Sequence, residues 1–156
     1  MALDEHHGED LTKKWQTPTK KALIMASSLR ALLVEDTAVQ RMVVSAMLRN
    51  QFHCETTLAK NGKEAVDMFL EGNTFDIVFC DRDMPIMTGP EAVVKIRAMG
   101  ATDVKIVGLS DDDNAMEAFI SAGADDFVPK PVRPETVGPM IQEVINKKLE
   151  QLAALA

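Results

Sequence analysis

The sequence predicts an α/β fold with a doubly wound sheet of five parallel strands, in the order 2-1-3-4-5, flanked by five helices. Five short apolar segments alternate strictly with five segments of helical periodicity. Parallel strands need crossover connections, and right-handed helical crossovers place helices on both faces of the sheet. The 156 residues, 46% of them hydrophobic and 26% charged, suit one compact domain with its own core.

The predicted strands are short, as expected for a sheet enclosed by helices. The third, at residues 77–80, is apolar throughout, which is typical of a strand covered on both faces. The first, at residues 31–34, is likewise a short apolar run. The five predicted strands span residues 31–34, 53–58, 77–80, 104–109 and 126–128.

Start and stop signals define the predicted helices. Asn61, with Glu64 three residues later, is a capping pair that begins the second helix. Pro90 is expected in the first turn of the third helix and Gly100 just after its end. Helical spacing predicts apolar stripes on the first, fourth and last helices: Val39, Met42, Val43, Ala46 and Met47; Ala115, Met116, Phe119 and Ile120; and Ile141, Val144, Ile145, Leu149 and Leu152.

The last helix, predicted over about 134–152, contains Pro139. A proline inside a helix removes one hydrogen bond and clashes with the preceding turn. Two interpretations remain open: the helix kinks at Pro139, or it begins near that residue.

The expected domain occupies residues 30–152, between a flexible N-terminal arm at 1–29 and a tail at 153–156. The arm is polar and carries four acids and four bases, so the net charge of −7 belongs to the remainder. A docking arm around Trp15 is the alternative. The acidic balance argues against nucleic acid as a partner, and we expect no membrane span or secretory signal.

Cysteine usage indicates a reducing compartment. Cys54 and Cys80 have neither metal-ligand spacing nor a pattern of disulfide partners, so reduced thiols are the simplest interpretation. We therefore expect a cytoplasmic protein, with the nucleus as the alternative location.

Acidic residues follow several predicted strands. Because the carboxyl ends of parallel strands meet at one edge of the sheet, we expect these side chains to lie together. Clustered carboxylates are unfavourable without a cation, and hard oxygen ligands suit Mg²⁺. The residues at this edge are Glu35 and Asp36, Asp81 and Asp83, Ser110 with the acids at 111–113, and Lys130 with Pro131.

In these motifs the sequence resembles the receiver domain of two-component response regulators, a flavodoxin-like fold. The resemblance covers about residues 30–152. It rests on Val34-Glu35-Asp36, on Asp81-Arg-Asp-Met-Pro85 with Met87-Thr-Gly89, and on Ser110, Phe127 and Lys130-Pro131. Residues 81–100 are similar to plant receivers, which implies a stand-alone receiver of a multistep phosphorelay, with cytokinin signalling as the candidate pathway.

The resemblance implies a role for each motif. Asp81 would accept a phosphoryl group from a phosphohistidine. Mg²⁺ would be held directly by the carboxylates of Asp36 and Asp81 and by the backbone carbonyl of Asp83. Glu35 would bind it through a water molecule. Ser110 and Lys130 would bind phosphoryl oxygens, with Lys130 aimed by a cis bond to Pro131.

Further implied roles concern switching and phosphate lifetime. Ser110 and Phe127 would move together as a conformational switch once Asp81 is modified. Asp83 and Asp112 would modulate hydrolysis of the acyl phosphate. Thr88, where many receivers have Asp, and Ser110, where Thr is commoner, depart from the family pattern.

The expected function is that of a phosphoryl acceptor rather than an enzyme, acting as a signalling switch or a phosphate sink. The implied partner is a histidine-containing phosphotransfer protein or a sensor histidine kinase, and a monomer or weak dimer is expected. The alternative is a phosphatase of the haloacid dehalogenase type, with Asp81 as nucleophile and Asp83 as acid/base. Pro85 counts against it, since such enzymes have Thr or Val there.

Overall fold

The computed structural model describes residues 29–155, which form one α/β unit. The predicted flexible arm lies outside the described residues except for Leu29. That residue is fully buried in the core and therefore packs with the domain, although it was predicted to belong to the arm. Among residues 29–155, no helix has both the length and the hydropathy needed to cross a bilayer.

The sheet has the predicted topology. In the described part of the chain the sheet has five strands, which are all parallel and follow the order β2-β1-β3-β4-β5. Strands 1 and 3 are therefore neighbours, although the second strand separates them in the chain. Their bounds are β1 at Arg30–Val34, β2 at Glu55–Ala59, β3 at Ile77–Asp81, β4 at Lys105–Ser110 and β5 at Asp126–Pro129.

Within residues 29–155, five helices connect or follow the strands. The predicted capping pair is confirmed, since the Asn61 side chain accepts a hydrogen bond from the Glu64 amide at 2.9 Å. Gly100, just past the third helix, has a φ of 89°, which favours glycine. The helices are α1 at Ala38–Asn50, α2 at Gly62–Leu70, α3 at Gly89–Ala98, α4 at Ala115–Ala122 and α5 at Pro134–Leu155.

The core is divided by the sheet into two layers. Alternate residues of each strand point to opposite faces, so Leu33 and Phe79 pack towards α1 and α5 whereas Leu32 and Val78 pack towards the other three helices. The inner strands β1, β3 and β4 are buried on both faces, which explains their nearly continuous apolar sequences, whereas the edge strands β2 and β5 are only partly buried.

The predicted buried face of α1 is wrong for four of its five residues, and only Met47 lies in the core. Val39, Met42 and Val43 are 69%, 71% and 63% exposed, and Ala46 is exposed as well. The residues that pack on the sheet are Val44, Ser45, Met47 and Leu48. Apolar residues occupy more than half the circumference of this helix, so periodicity alone cannot choose between two faces. The fold leaves an unusual apolar surface on α1.

On α4 and α5 the apolar stripes are only partly buried. Ala115 and Phe119 are in the core, whereas Met116 and Ile120 are exposed. The last helix begins at Pro134 and continues through Pro139 to Leu155, so a start near Pro139 is wrong, and residues 153–155 extend the helix instead of forming a tail. Its core contacts come from Val137, Ile141, Val144 and Ile145, while Leu152 is exposed.

Gly108 in β4 provides a test of the packing between the sheet and α4. A Cβ atom at this position would overlap the ring of Phe119, which is fully buried and cannot move aside. Gly108→Ala should therefore lower the free energy of unfolding by about 2 kcal/mol or more in urea titrations. The matched control is Gly138→Ala in α5, where the added methyl meets Phe52 at 3.3 Å. This control should change stability by no more than about 1 kcal/mol, and equal effects of both substitutions would contradict the packing argument.

Candidate functional site

Three carboxylates meet at the carboxyl end of the sheet. Val34 pairs with Cys80 in the β1–β3 register, which places Glu35 and Asp36 beside Asp81. One oxygen from each of these three carboxylates lies within 4.8 Å of the others. Glu35 is 1% exposed and Asp81 is 7% exposed, whereas Asp36 is exposed to solvent. The predicted association of these three residues is confirmed.

Lys130 carries the positive charge at this site. It follows β5, and its peptide bond to Pro131 is cis, as the resemblance implied. Its Nζ atom lies 2.8 Å from Glu35 Oε1, 3.1 Å from Asp81 Oδ1 and 2.7 Å from Gln40 Oε1. The contacts with Glu35 and Gln40 are hydrogen bonds and that with Asp81 is an ion pair, so two of the three ammonium N–H donors are used. The lysine side chain is 10% exposed and is therefore tightly enclosed.

The pKa values show an excess of negative charge around Asp81. Burial and the charge of Glu35 raise the pKa of Asp81 to about 6, although Lys130 acts in the opposite direction. Burial would also raise the pKa of Glu35, but hydrogen bonds from Lys130 and from the Thr37 amide outweigh burial and lower it. The pKa of Lys130 is raised because its two carboxylate partners outweigh burial. Lys130 is thus the shared counter-ion of two buried carboxylates, Glu35 and Asp81.

The donor set fits a hard divalent cation. Three carboxylate oxygens at this separation are of the kind that Mg²⁺ binds, and the exposed Asp36 leaves one side of the cluster open to water. A cation would offset the repulsion that raises the pKa of Asp81. The fourth predicted ligand is the backbone carbonyl of Asp83, and that role stays a prediction.

Ser110 and Phe127, the predicted switch pair, lie on neighbouring strands. Ser110 ends β4, is 3% exposed, and its hydroxyl accepts a hydrogen bond from the Asp112 amide at 3.1 Å. The hydroxyl hydrogen therefore remains available to another acceptor. Phe127 in β5 packs with its ring centroid 6.2 Å from that of Phe119. Joint movement of Ser110 and Phe127 stays a prediction.

Arg82 joins the loop after β3 to the loop after β4, a connection that sequence reasoning missed. Its guanidinium group contacts Asp83 at 3.0 Å and Asp112 at 3.2 Å. Both acids, predicted to modulate hydrolysis, are therefore paired with the same cation. The Asn114 amide and Arg82 together lower the pKa of Asp112. The position of Arg82 between Asp81 and Asp83 in the sequence could have indicated that it pairs with acids near the site.

Residues at the start of α1 complete the site. Gln40 accepts from Lys130, the Thr37 amide donates to Glu35 Oε2 at 3.1 Å, and Arg41 donates to the Glu35 carbonyl at 2.8 Å. Sequence reasoning missed Gln40 because a glutamine near a helix start carries no specific signal. These bonds fix the acidic turn after β1 against the first turn of α1.

An apolar groove borders the charged site. It has a volume of about 270 Å³ and continues onto the exposed face of α1. Its lining is apolar except where Glu35, Gln40, Asp111 and Lys130 reach it; the apolar residues are Val39, Val43, Val44, Pro131 and Val132. The groove joins the exposed α1 surface directly to Lys130.

The family of the chain follows from comparison with known proteins. The model of the response regulator receiver domain matches residues 31–142. This chain belongs to that receiver domain family, as its fold and acidic site indicate. The family match gives no support to the alternative of a haloacid dehalogenase-type phosphatase.

A plant relative supports this assignment to the receiver domain family. The two-component response regulator ORR42 of Oryza sativa subsp. japonica is 62% identical over 122 residues, which are 78% of this chain and 91% of the relative. The resemblance to plant receivers is thereby confirmed.

Two solved structures share the fold. The receiver domain of sensor histidine kinase PA1611 from Pseudomonas aeruginosa PAO1 has a magnesium ion coordinated in its active site cleft. It is 30% identical, with a TM-score of 0.68, over 76% of this chain and 98% of that one. The receiver domain of Ssk1 from Saccharomyces cerevisiae, in complex with the histidine phosphotransfer protein Ypd1, is 28% identical. Its TM-score is 0.68 over 78% of this chain and 91% of that chain.

The raised pKa of Asp81 predicts a specific pH dependence of stability. The folded protein holds the Asp81 proton more tightly than the unfolded chain does. The contribution of this protonation to the free energy of unfolding is therefore complete below about pH 4 and is lost as pH rises through about 6. Without divalent metal, the stability of the wild type relative to Asp81→Asn should fall over this range. The fall should be at most about 3 kcal/mol, since one pKa unit corresponds to about 1.4 kcal/mol. Urea unfolding in EDTA at several pH values measures it, and a constant or rising difference would contradict the assigned environment.

Proposed function

We propose that Asp81 accepts a phosphoryl group from a phosphohistidine and thereby acts as the phosphorylation site of this receiver domain. The observation that carries the proposal is the position of Asp81, which ends β3 beside Glu35 and Asp36 with Lys130 Nζ at 3.1 Å. An Asp81 oxygen would attack phosphorus, the bond from phosphorus to the imidazole nitrogen would break, and that nitrogen would take up a proton. The product is an acyl phosphate.

Mg²⁺ is the proposed cofactor. Its ligands would be Glu35 through water, Asp36, Asp81 and the Asp83 carbonyl, and the magnesium ion in the PA1611 receiver supports this assignment. When bound, it would supply positive charge next to the transferring phosphoryl oxygens. The chain's own contribution is positioning: the turn after β1 and the end of β3 hold the carboxylates in place before any donor arrives.

Lys130 and Ser110 would bind the phosphoryl oxygens. The lysine already lies beside Asp81, and a phosphoryl oxygen would replace Asp81 Oδ1 as its ion-pair partner and accept one of its N–H groups. The free hydroxyl hydrogen of Ser110 would donate to a second oxygen. Movement of Ser110 and Phe127 would then change the exposed surface around Met116 and Ile120, which provides the signalling switch.

The proposed donor is a histidine-containing phosphotransfer protein or the histidine kinase itself. The exposed apolar face of α1 and the adjoining groove offer such a protein a surface that leads to Lys130 and Asp81. The Ssk1 receiver, seen in complex with Ypd1, supports a partner of this class. The domain would act as a non-enzymatic signalling switch or phosphate sink.

The biological setting is also a proposal. The rice relative supports a plant-type stand-alone receiver, with cytokinin signalling as the candidate pathway. The buried free thiols of Cys54 and Cys80 are compatible with a cytoplasmic or nuclear location. We propose a monomer or weak dimer.

Phosphoryl transfer tests the function directly. Wild-type protein incubated with a radiolabelled phosphorylated histidine-phosphotransfer protein and Mg²⁺ should become labelled. EDTA should slow labelling at least roughly a hundredfold, because the acidic cluster would then repel the incoming phosphoryl group. Asp81→Asn should carry no label while keeping the fold. Equal labelling of Asp81→Asn and wild type would refute the assignment.

The docking surface can be tested separately from the chemistry. Val43→Glu places a charge on the exposed α1 face and should slow transfer from the protein donor by about tenfold or more, because the charge would lose water at an apolar interface. Labelling by acetyl phosphate, which needs no docking surface, should be unchanged. The matched control is Val94→Glu, at an exposed position of α3. It should leave labelling by the protein donor and by acetyl phosphate unchanged. A parallel loss with both phosphate donors would argue against docking on α1.

The paired acids next to the site predict an effect on phosphate lifetime. Asp83 is 73% exposed at its side chain and held by Arg82 near the phosphorylation site. Asp83→Asn removes a negative charge where water would approach the acyl phosphate, so the decay of label should change severalfold while transfer persists. Following radiolabel decay measures this rate. An unchanged rate of decay would show that Asp83 does not modulate hydrolysis of the acyl phosphate.

A further inference from the structure

The three acceptors that hold Lys130 differ in chemistry. Glu35 and Asp81 are carboxylates of the proposed metal site, whereas the amide oxygen of Gln40 is neutral and comes from α1. Gln40 and Glu35 accept hydrogen bonds from Lys130 at 2.7 Å and 2.8 Å, whereas Asp81 forms an ion pair with it at 3.1 Å. Gln40 lies 90 residues from Lys130 in the chain, so the bond ties the first turn of α1 to the end of β5.

The carboxylates cannot hold Lys130 equally well in all states. With Mg²⁺ in place, Glu35 and Asp81 would share their negative charge between the metal and the ammonium, which weakens their attraction for Lys130. Phosphorylation would then replace the Asp81 acceptor itself. Among residues 29–155, Gln40 is the acceptor of Lys130 that would take part neither in binding Mg²⁺ nor in phosphorylation.

We propose that Gln40 is a positioning residue that holds the Lys130 ammonium at the site when the acidic cluster carries Mg²⁺. The proposal rests on the proposed function, because it assigns Gln40 a part in phosphoryl acceptance. By keeping one N–H on α1, Gln40 directs another towards Asp81, where the phosphoryl oxygen would arrive. Gln40 also lines the apolar groove between Val39 and Val43, so a docked donor would pack beside the residue that orients the lysine.

The test uses two substitutions at position 40 and one matched control. Gln40→Met keeps the length of the side chain but removes the acceptor, and Gln40→Glu keeps an acceptor. Gln142→Met alters an exposed glutamine of α5, whose described hydrogen bond is to Asn146 on the same helix. The readouts are ¹⁵N NMR of the Lys130 ammonium with and without Mg²⁺, assigned with Lys130→Arg, and the rate of labelling by acetyl phosphate.

Gln40→Met should speed exchange of the Lys130 ammonium hydrogens with water by roughly tenfold in the Mg²⁺-loaded protein, and less without Mg²⁺. Labelling should slow by about five- to tenfold while Mg²⁺ affinity stays within about twofold. Gln40→Glu should largely restore slow exchange and the labelling rate, and Gln142→Met should match the wild type. This rescue would not occur if Gln40 served packing alone.

Unchanged ammonium exchange in Mg²⁺-loaded Gln40→Met, or equal defects in Gln40→Met and Gln40→Glu, would overturn the proposal. Failure of the wild type to be labelled would instead refute the proposed function. The NMR comparison reads the position of Lys130 without any phosphoryl transfer, so the two failures are distinguishable.

Discussion

The site depends on one unfavourable interaction that the fold enforces. Glu35 and Asp81 are both buried at the ends of adjacent strands, and Lys130 lies between them. Burial and mutual repulsion raise the pKa of Asp81, so the metal-free site is electrostatically unsatisfied. A divalent cation would relieve this repulsion, and by favouring the ionised carboxylate it would leave Asp81 as the proposed nucleophile near neutral pH. The proposed metal site and the proposed reactivity of Asp81 thus both depend on this arrangement.

The sheet order and the loops around it make that arrangement rigid. The crossover that places β3 beside β1 brings together acids 45 and 46 residues apart in the sequence. The start of α3 then closes on the end of β3: the Gly89 amide donates to the Arg82 carbonyl at 2.8 Å, and a Cβ atom on Gly89 would overlap the carbonyl oxygen of Asp81. Gln40 and Lys130 connect α1 to the end of β5 in the same way. Every element that supplies a charge is therefore tied to a neighbouring element.

Much of this could be predicted from the sequence because it is encoded locally. Apolar segments identify the strands, Asn61 and Gly100 mark helix ends, and acids at strand ends indicate the site. The missing parts depend on tertiary contact. The buried face of α1 is decided by Val44 and Leu48 packing on the sheet, against an equally apolar face at Val39 and Val43. Gln40 and Arg82 acquire their roles only because long side chains reach partners brought near by the fold.

The most direct measurement identifies the phosphorylated atom chemically. Protein labelled by acetyl phosphate in Mg²⁺ is reduced with borohydride, which converts an aspartyl phosphate to homoserine, and the peptides are sequenced by mass spectrometry. The result expected from the geometry is homoserine at position 81 and unmodified aspartate at positions 36, 83, 111, 112 and 113. Homoserine at any of those other positions, or complete retention of Asp81 in labelled protein, would contradict the assignment of Asp81 as the acceptor.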